Sequence, residues 1–127
     1  MSRYSLFPVQ NRVLWELYQL QVRKFWTYEE IDFSKDAQSW ETLQPAEQHF
    51  IAQTLAFFAN SDNIVIENLV TRFSQEITTP EAQMCFAIQA GVESVHVVSY
   101  NRCIETVIPN VEQQRLLFHS METNPLV

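Results

Sequence analysis

PAEQHFIAQTLAFFANSDNIVIENLVTRFSQEITT, residues 45–79, decides the fold class. Pro45 suits the first position of a helix, where its missing N–H would have no partner anyway. Glu47 puts a negative charge in the first turn, where the helix dipole favours it. After Pro45 neither glycine nor proline occurs until Pro80, so no residue type breaks the backbone ladder. Phe50, Ile51, Leu55, Phe58, Asp62, Val65, Ile66, Leu69 and Phe73 recur at helical spacing. The spacing predicts one helix of about 32 residues, roughly 48 Å long.

Working outward, Thr79 reads as the N-cap of the following helix, with Pro80 next and Glu81 in its first turn. That helix is expected to run to about Val107, and Pro109 helps stop it. Phe86, Gln89, Glu93, His96, Tyr100 and Ile104 share its inward stripe. A last helix over residues 110–122 ends at Asn124-Pro125. Upstream, residues 1–9 read as extended, held by Tyr4, Leu6 and Phe7 and closed by Pro8. A first helix is expected over residues 10–24, with Val13, Leu14, Leu17 and Leu20 on one side. FWTYEEIDFSKD, residues 25–36, reads as a helical turn and a loop, and Ala37–Leu43 as a short helix. No alternating strand pattern and no internal repeat occurs, so the expected fold class is all-α.

At 127 residues the chain fits one domain spanning residues 1–127, with room for a modest core. Hydrophobic content of 46% and a single glycine argue for long helices over disorder. A net charge of -7 argues against nucleic acid or an anionic membrane as partner, since both call for basic patches. The apolar run Leu55–Ala59 is far short of the ~20 residues of a membrane span, and MSRYSLFPVQ lacks a signal-peptide core. A cytoplasmic protein is expected. Cys85 and Cys103 are too far apart in sequence for paired ligand spacing and read as buried thiols in a reducing compartment.

Charged groups in an apolar stripe are costly unless paired or bound to metal. Asp62 lies one turn from Phe58 on one side and Val65 and Ile66 on the other. Glu93 and His96 stand one turn apart among Val92, Val95 and Val97, and Tyr100 follows one turn later. By contrast Glu67, Glu76 and Glu81 fall on other faces or at helix ends, where solvation explains them. Taken singly, Glu93 and His96 would be an exposed pair, Asp62 a buried or capping aspartate and Tyr100 a core aromatic. Together, on facing stripes of two long helices, they point to a metal site. A Glu-x-x-His pair with a carboxylate from a neighbouring helix is half of a di-iron or di-manganese carboxylate centre. Oxygen and imidazole donors suit iron or manganese, and neither His49 nor His119 makes a second Glu-x-x-His.

The chain resembles the N-terminal half of the class I ribonucleotide reductase small subunit, in its eukaryotic and viral branch. The resemblance is carried by LFPVQNRVLWELY (6–18), FWTYEEIDFSKD (25–36), FIAQTLAFFANSDNIVIENLVTRFSQEI (50–77), ESVHVVSY (93–100) and LLFHSMETNP (116–125). It implies an incomplete ferritin-like helical bundle that binds two iron ions, manganese being the other candidate, and oxidises a tyrosine to a radical. The large subunit would use that radical to reduce ribonucleotides. Carried onto this sequence, Asp62, Glu93 and His96 are metal ligands, with Glu93 placed to bridge both ions. Tyr100 is the radical residue, and Trp26 matches the tryptophan that passes an electron to the cluster; without the resemblance Trp26 reads as a core aromatic.

The same resemblance sets the expected partners: a missing C-terminal half with the remaining ligands, the large subunit, and a second copy in a homodimer when complete. Three protein ligands are about half of what a two-metal carboxylate site uses. The other class of reading is a non-catalytic metal-binding or structural helical domain that self-associates. Two copies of the triad could close a six-ligand site across a two-fold axis. An exposed apolar face along residues 80–107 would support either association.

Overall fold

The computed structural model describes residues 4–123, leaving aside the side chains of Phe73, Ser74 and Thr123. The expected helix end at Asn124-Pro125, the extended reading of residues 1–3 and the stripe position of the Phe73 side chain lie outside the described residues. Among the described residues six α-helices follow one another: α1 (Arg12–Arg23), α2 (Asp36–Glu41), α3 (Pro45–Asn68), α4 (Ser74–Glu76), α5 (Pro80–Val107) and α6 (Val111–Thr123). A 3-10 turn, Tyr28–Glu30, precedes α2, and a π-helical turn, Leu69–Phe73, joins α3 to α4. No strand occurs among the described residues. The expected 32-residue helix is therefore 24 α-helical residues, a π turn and a three-residue tail.

The chain divides into two compact units. The first combines residues up to 26 with residues 63–95. Asn11 caps α1, its side-chain oxygen accepting from the Leu14 N–H at 3.1 Å. Phe7 packs edge-on against Trp15, which stacks on Tyr18. The backbone N–H of Gln10 donates to Glu81 Oε1 at 2.9 Å, and the Cys85 thiol donates to the Leu14 carbonyl at 2.9 Å. Two corrections to the sequence reading arise here. Tyr4 is 97% exposed and holds nothing down. Glu81 is 1% exposed, so burial against the segment before α1 explains it and solvation does not.

The second unit combines residues 27–62 with those from 96 onward. Its core is Ala52, Ala56, Ile104, Leu117 and Met121, with Trp40, Leu55, Ile108 and Phe118 packed against it. Gln48 donates to the Trp40 carbonyl at 2.8 Å and Gln114 to the Ile108 carbonyl at 2.7 Å, tying the connections to the helices. Asn110 caps α6 by accepting from the Gln113 N–H at 3.1 Å.

The buried face of α3 also differs from the expected stripe. Ala52, Ala56 and Ala59 are its buried residues, while Phe50 is 71% and Phe58 43% exposed. Neighbouring helices approach α3 where its side chains are smallest. Phe50 lies two residues, about 200° of helical turn, from Ala52 and so points the other way. Likewise α5 carries one large apolar residue among the exposed ones, Val98, whereas α3 and its π turn carry Phe50, Phe57, Phe58, Ile64, Val65 and Val70. The open apolar surface is therefore on α3 and its π turn, and the exposed face along residues 80–107 that would have supported association is not found.

Candidate metal centre

In the second unit α3 and α5 run antiparallel. One turn forward on α3, from Phe58 to Asp62, corresponds to one turn back on α5, from Tyr100 to His96. The Phe58 and Tyr100 rings stack with centroids 5.6 Å apart and planes 25° from parallel. His96 Nδ1 lies 3.9 Å from Asp62 Oδ2, a separation longer than a hydrogen bond. Both side chains are partly buried, and Asp62 Oδ2 itself is shielded from water.

Glu93 precedes His96 by one turn of α5, which puts the two side chains on one face. One ligand atom from each of Asp62, Glu93 and His96 lies within 4.8 Å of the other two. Donors that share one ion at about 2.1 Å sit roughly 3 to 4 Å apart. The three donors are thus within a small side-chain adjustment of sharing a cation. Two partly desolvated carboxylates and an imidazole are an oxygen–nitrogen donor set, suited to iron or manganese. A cation held by these three residues would offset the repulsion between the Asp62 and Glu93 carboxylates. The chemistry of the donors therefore fits the group that the sequence pattern implies. Among the described residues, no second cluster of His, Cys, Asp and Glu donors comes this close together.

Neither thiol belongs to this cluster. Burial pushes the Cys85 thiol above its ordinary range, and burial together with the Asp36 carboxylate does the same to Cys103. Both are only partly buried, where full burial was expected. His119 forms an exposed pair with Glu122 at 3.9 Å, and His49 borders an open groove of about 490 Å³.

Tyr100 is partly buried one turn beyond His96, its ring held by Phe58. Trp26 belongs to the first unit and is 36% exposed. With Lys24 and Phe25 it lines a cavity of about 30 Å³ against Val92 and Val95, the residues on either side of Glu93 and Ser94. Phe58 was legible as an apolar neighbour of Asp62, but its contact with Tyr100 depends on the antiparallel register of α3 and α5. Glu81 carried a misleading signal, since acidic residues are ordinary in a first turn.

A family model described as "Ribonucleotide reductase, small chain" matches residues 3–127. The chain belongs to this family. The tobacco ribonucleoside-diphosphate reductase small chain is 43% identical over 126 residues, which cover 99% of this chain and 38% of the relative. The ribonucleotide reductase small-chain fold is also found by shape. The yeast Rnr4 homodimer structure aligns with a TM-score of 0.84 at 26% identity, over 98% of this chain and 39% of that one. The dimanganese(II)-NrdF structure from Streptococcus sanguinis aligns with a TM-score of 0.87 at 19% identity, over 98% of this chain and 44% of that one. The all-α, ferritin-like architecture expected from the sequence is the one observed. This member spans about two fifths of the length of the tobacco relative it matches.

Proposed function

We propose that this chain supplies the tyrosine and half the metal ligands of the radical-generating small subunit of ribonucleoside-diphosphate reductase. The observation that carries the reading is the gathering of Asp62, Glu93 and His96 one turn from a stacked, partly buried Tyr100. Asp62 and His96 would hold one ion, and Glu93 has the second oxygen needed to reach another. A bound two-metal centre supplies the oxidising power for removing an electron from a phenol.

The rest is the work of the chain's own residues. With that centre oxidised by dioxygen, Tyr100 would give one electron to it and its hydroxyl proton to a base at the site, leaving a neutral phenoxyl. Phe58 stacks on the ring and keeps water off one of its faces, which prolongs the life of an oxidised phenol. Trp26, readily oxidised and partly exposed, is the candidate electron conduit, packed against the valines that flank Glu93.

Iron is the proposed metal. The Streptococcus structure with this fold is described as dimanganese(II), and the donor set here suits manganese as well. The proposed partners are a polypeptide with the remaining ligands, the large subunit that reduces ribonucleotides, and a second copy, the yeast structure being described as a homodimer. No helix among the described residues is long and apolar enough to cross a membrane. Cytoplasm is the compartment this reading calls for. Family membership favours this reading over a purely structural, self-associating domain.

The test is electron paramagnetic resonance after iron(II) and oxygen are added to the chain together with a polypeptide spanning the rest of the tobacco relative's length. A tyrosyl signal that vanishes in Tyr100→Phe while metal content is retained is expected. An undiminished signal in Tyr100→Phe would remove Tyr100 from the mechanism.

A further inference from the structure

Glu81 is the most deeply buried charged residue of the described chain, and the proposed chemistry does not use it. A carboxyl group this far from water must be held by dipoles and donors. Its place in the first turn of α5 puts it among N–H groups that the helix leaves without internal partners, at the positive end of the dipole. In addition it accepts from the backbone N–H of Gln10 at 2.9 Å.

A second contact repeats the first one turn later. The Cys85 thiol donates to the Leu14 carbonyl, and both contacts join residues 71 positions apart. Equal offsets mean that α1 runs parallel to the start of α5 in a fixed register. The alignment carries on just past the end of α1, where Lys24, Phe25 and Trp26 line one small cavity with Val92 and Val95. From Glu81 to Val92 is roughly 16 Å along the helix. A slip at the start would therefore carry α1, a nearly rigid rod, along α5, and with it the three-residue segment after Arg23 that ends in Trp26.

We propose that Glu81 is a positioning residue. Its buried carboxylate pins the segment before α1 and so sets the register at which Trp26 rests on α5 beside Glu93. The inference deepens the proposed function and rests on it only for the importance of Trp26; the register itself is a separate matter. Glu81→Ala removes the acceptor. Glu81→Gln keeps an oxygen able to accept from Gln10 and should preserve the register. Gln10→Pro deletes the donor while leaving Glu81 in place.

The experiment uses the full chain with 5-fluorotryptophan in place of tryptophan. The fluorine resonances of Trp15, Trp26 and Trp40 are assigned by replacing each with Phe. In Glu81→Ala and in Gln10→Pro the Trp26 resonance should move and its solvent isotope shift rise about two-fold, since Trp26 is 36% exposed when docked. Trp40, in the other unit, should stay in place, and Glu81→Gln should resemble the parent protein. Should Glu81→Ala prevent folding, Gln10→Pro decides alone. An unmoved Trp26 resonance in Gln10→Pro overturns the proposal. Normal radical assembly in Trp26→Phe would instead remove Trp26 from the electron route and leave the register result standing.

Discussion

Phe58 and Tyr100 should prove energetically coupled, because the stack between them is what holds the tyrosine ring beside the ligand cluster. Deleting a fully buried Phe ring costs about 3–5 kcal/mol. Phe58 is 43% exposed, so Phe58→Ala should cost roughly half of that, about 2 kcal/mol. Part of the cost is the ring–ring contact itself, which contributes about 1 kcal/mol beyond the area it buries. The assay is a double-mutant cycle with Phe58→Leu and Tyr100→Leu, singly and together, followed by urea unfolding of the full chain. Leucine keeps most of the apolar volume, so the cycle isolates the stack. The two single losses should exceed the double loss by about 1 kcal/mol, above the roughly 0.3–0.5 kcal/mol within which independent sites add. Strict additivity would show that Phe58 does not fix Tyr100, and the proposed shielding of the oxidised ring would fall with it.

Other substitutions separate the remaining roles. His96→Ala should raise the dissociation constant for manganese(II) roughly 100-fold, since even outer-shell partners of metal ligands are worth about 10–100-fold, and calorimetric titration would read it. Trp26→Phe should leave metal content intact and slow radical assembly, because a phenyl ring is much harder to oxidise than an indole; stopped-flow absorbance with metal analysis checks both. Ile104→Ala should destabilise the second unit by about 3–4 kcal/mol, near the upper part of the range for aliphatic truncation, since Ile104 is 1% exposed and packed with Ala52 and Ala56. A loss below about 1 kcal/mol in urea unfolding would mean that the core lies elsewhere.

The two long helices were legible because nothing between Pro45 and Pro80 breaks a helix, and because Pro109 ends α5 where the periodicity fades. Glu93, His96 and Tyr100 were legible as one face for a simpler reason: spacing along a single helix is set by its pitch. Their meeting with Asp62 needed the antiparallel register, which sequence spacing does not contain. The buried face of α3 was misread because apolar size is a poor guide to which side a neighbour approaches. Ala52 and Ala56 let Ile104 and Leu117 come close, and the large Phe50 is left outside. Glu81 was misread because it is buried and its partner, the Gln10 N–H, is far away in the chain.

The π turn at Leu69–Phe73 had no clear sequence signal either. The Thr71 hydroxyl donates back to the Glu67 carbonyl, competing with the helix ladder where the turn widens. Thr54 makes the same kind of bond to Phe50 inside a regular stretch, so the hydroxyl alone does not dictate the π geometry.

The central claim is that Asp62, Glu93 and His96 form a metal site in this chain. Manganese(II) is a paramagnetic ion that broadens nuclear resonances only close to where it binds, so titrating it into the isotopically labelled chain maps the site directly. The account predicts broadening centred on His96, Glu93 and Asp62 and reaching Tyr100, with most of it lost in the Asp62→Ala/His96→Ala double variant. Broadening spread over the acidic surface, or unchanged in that double variant, would contradict it.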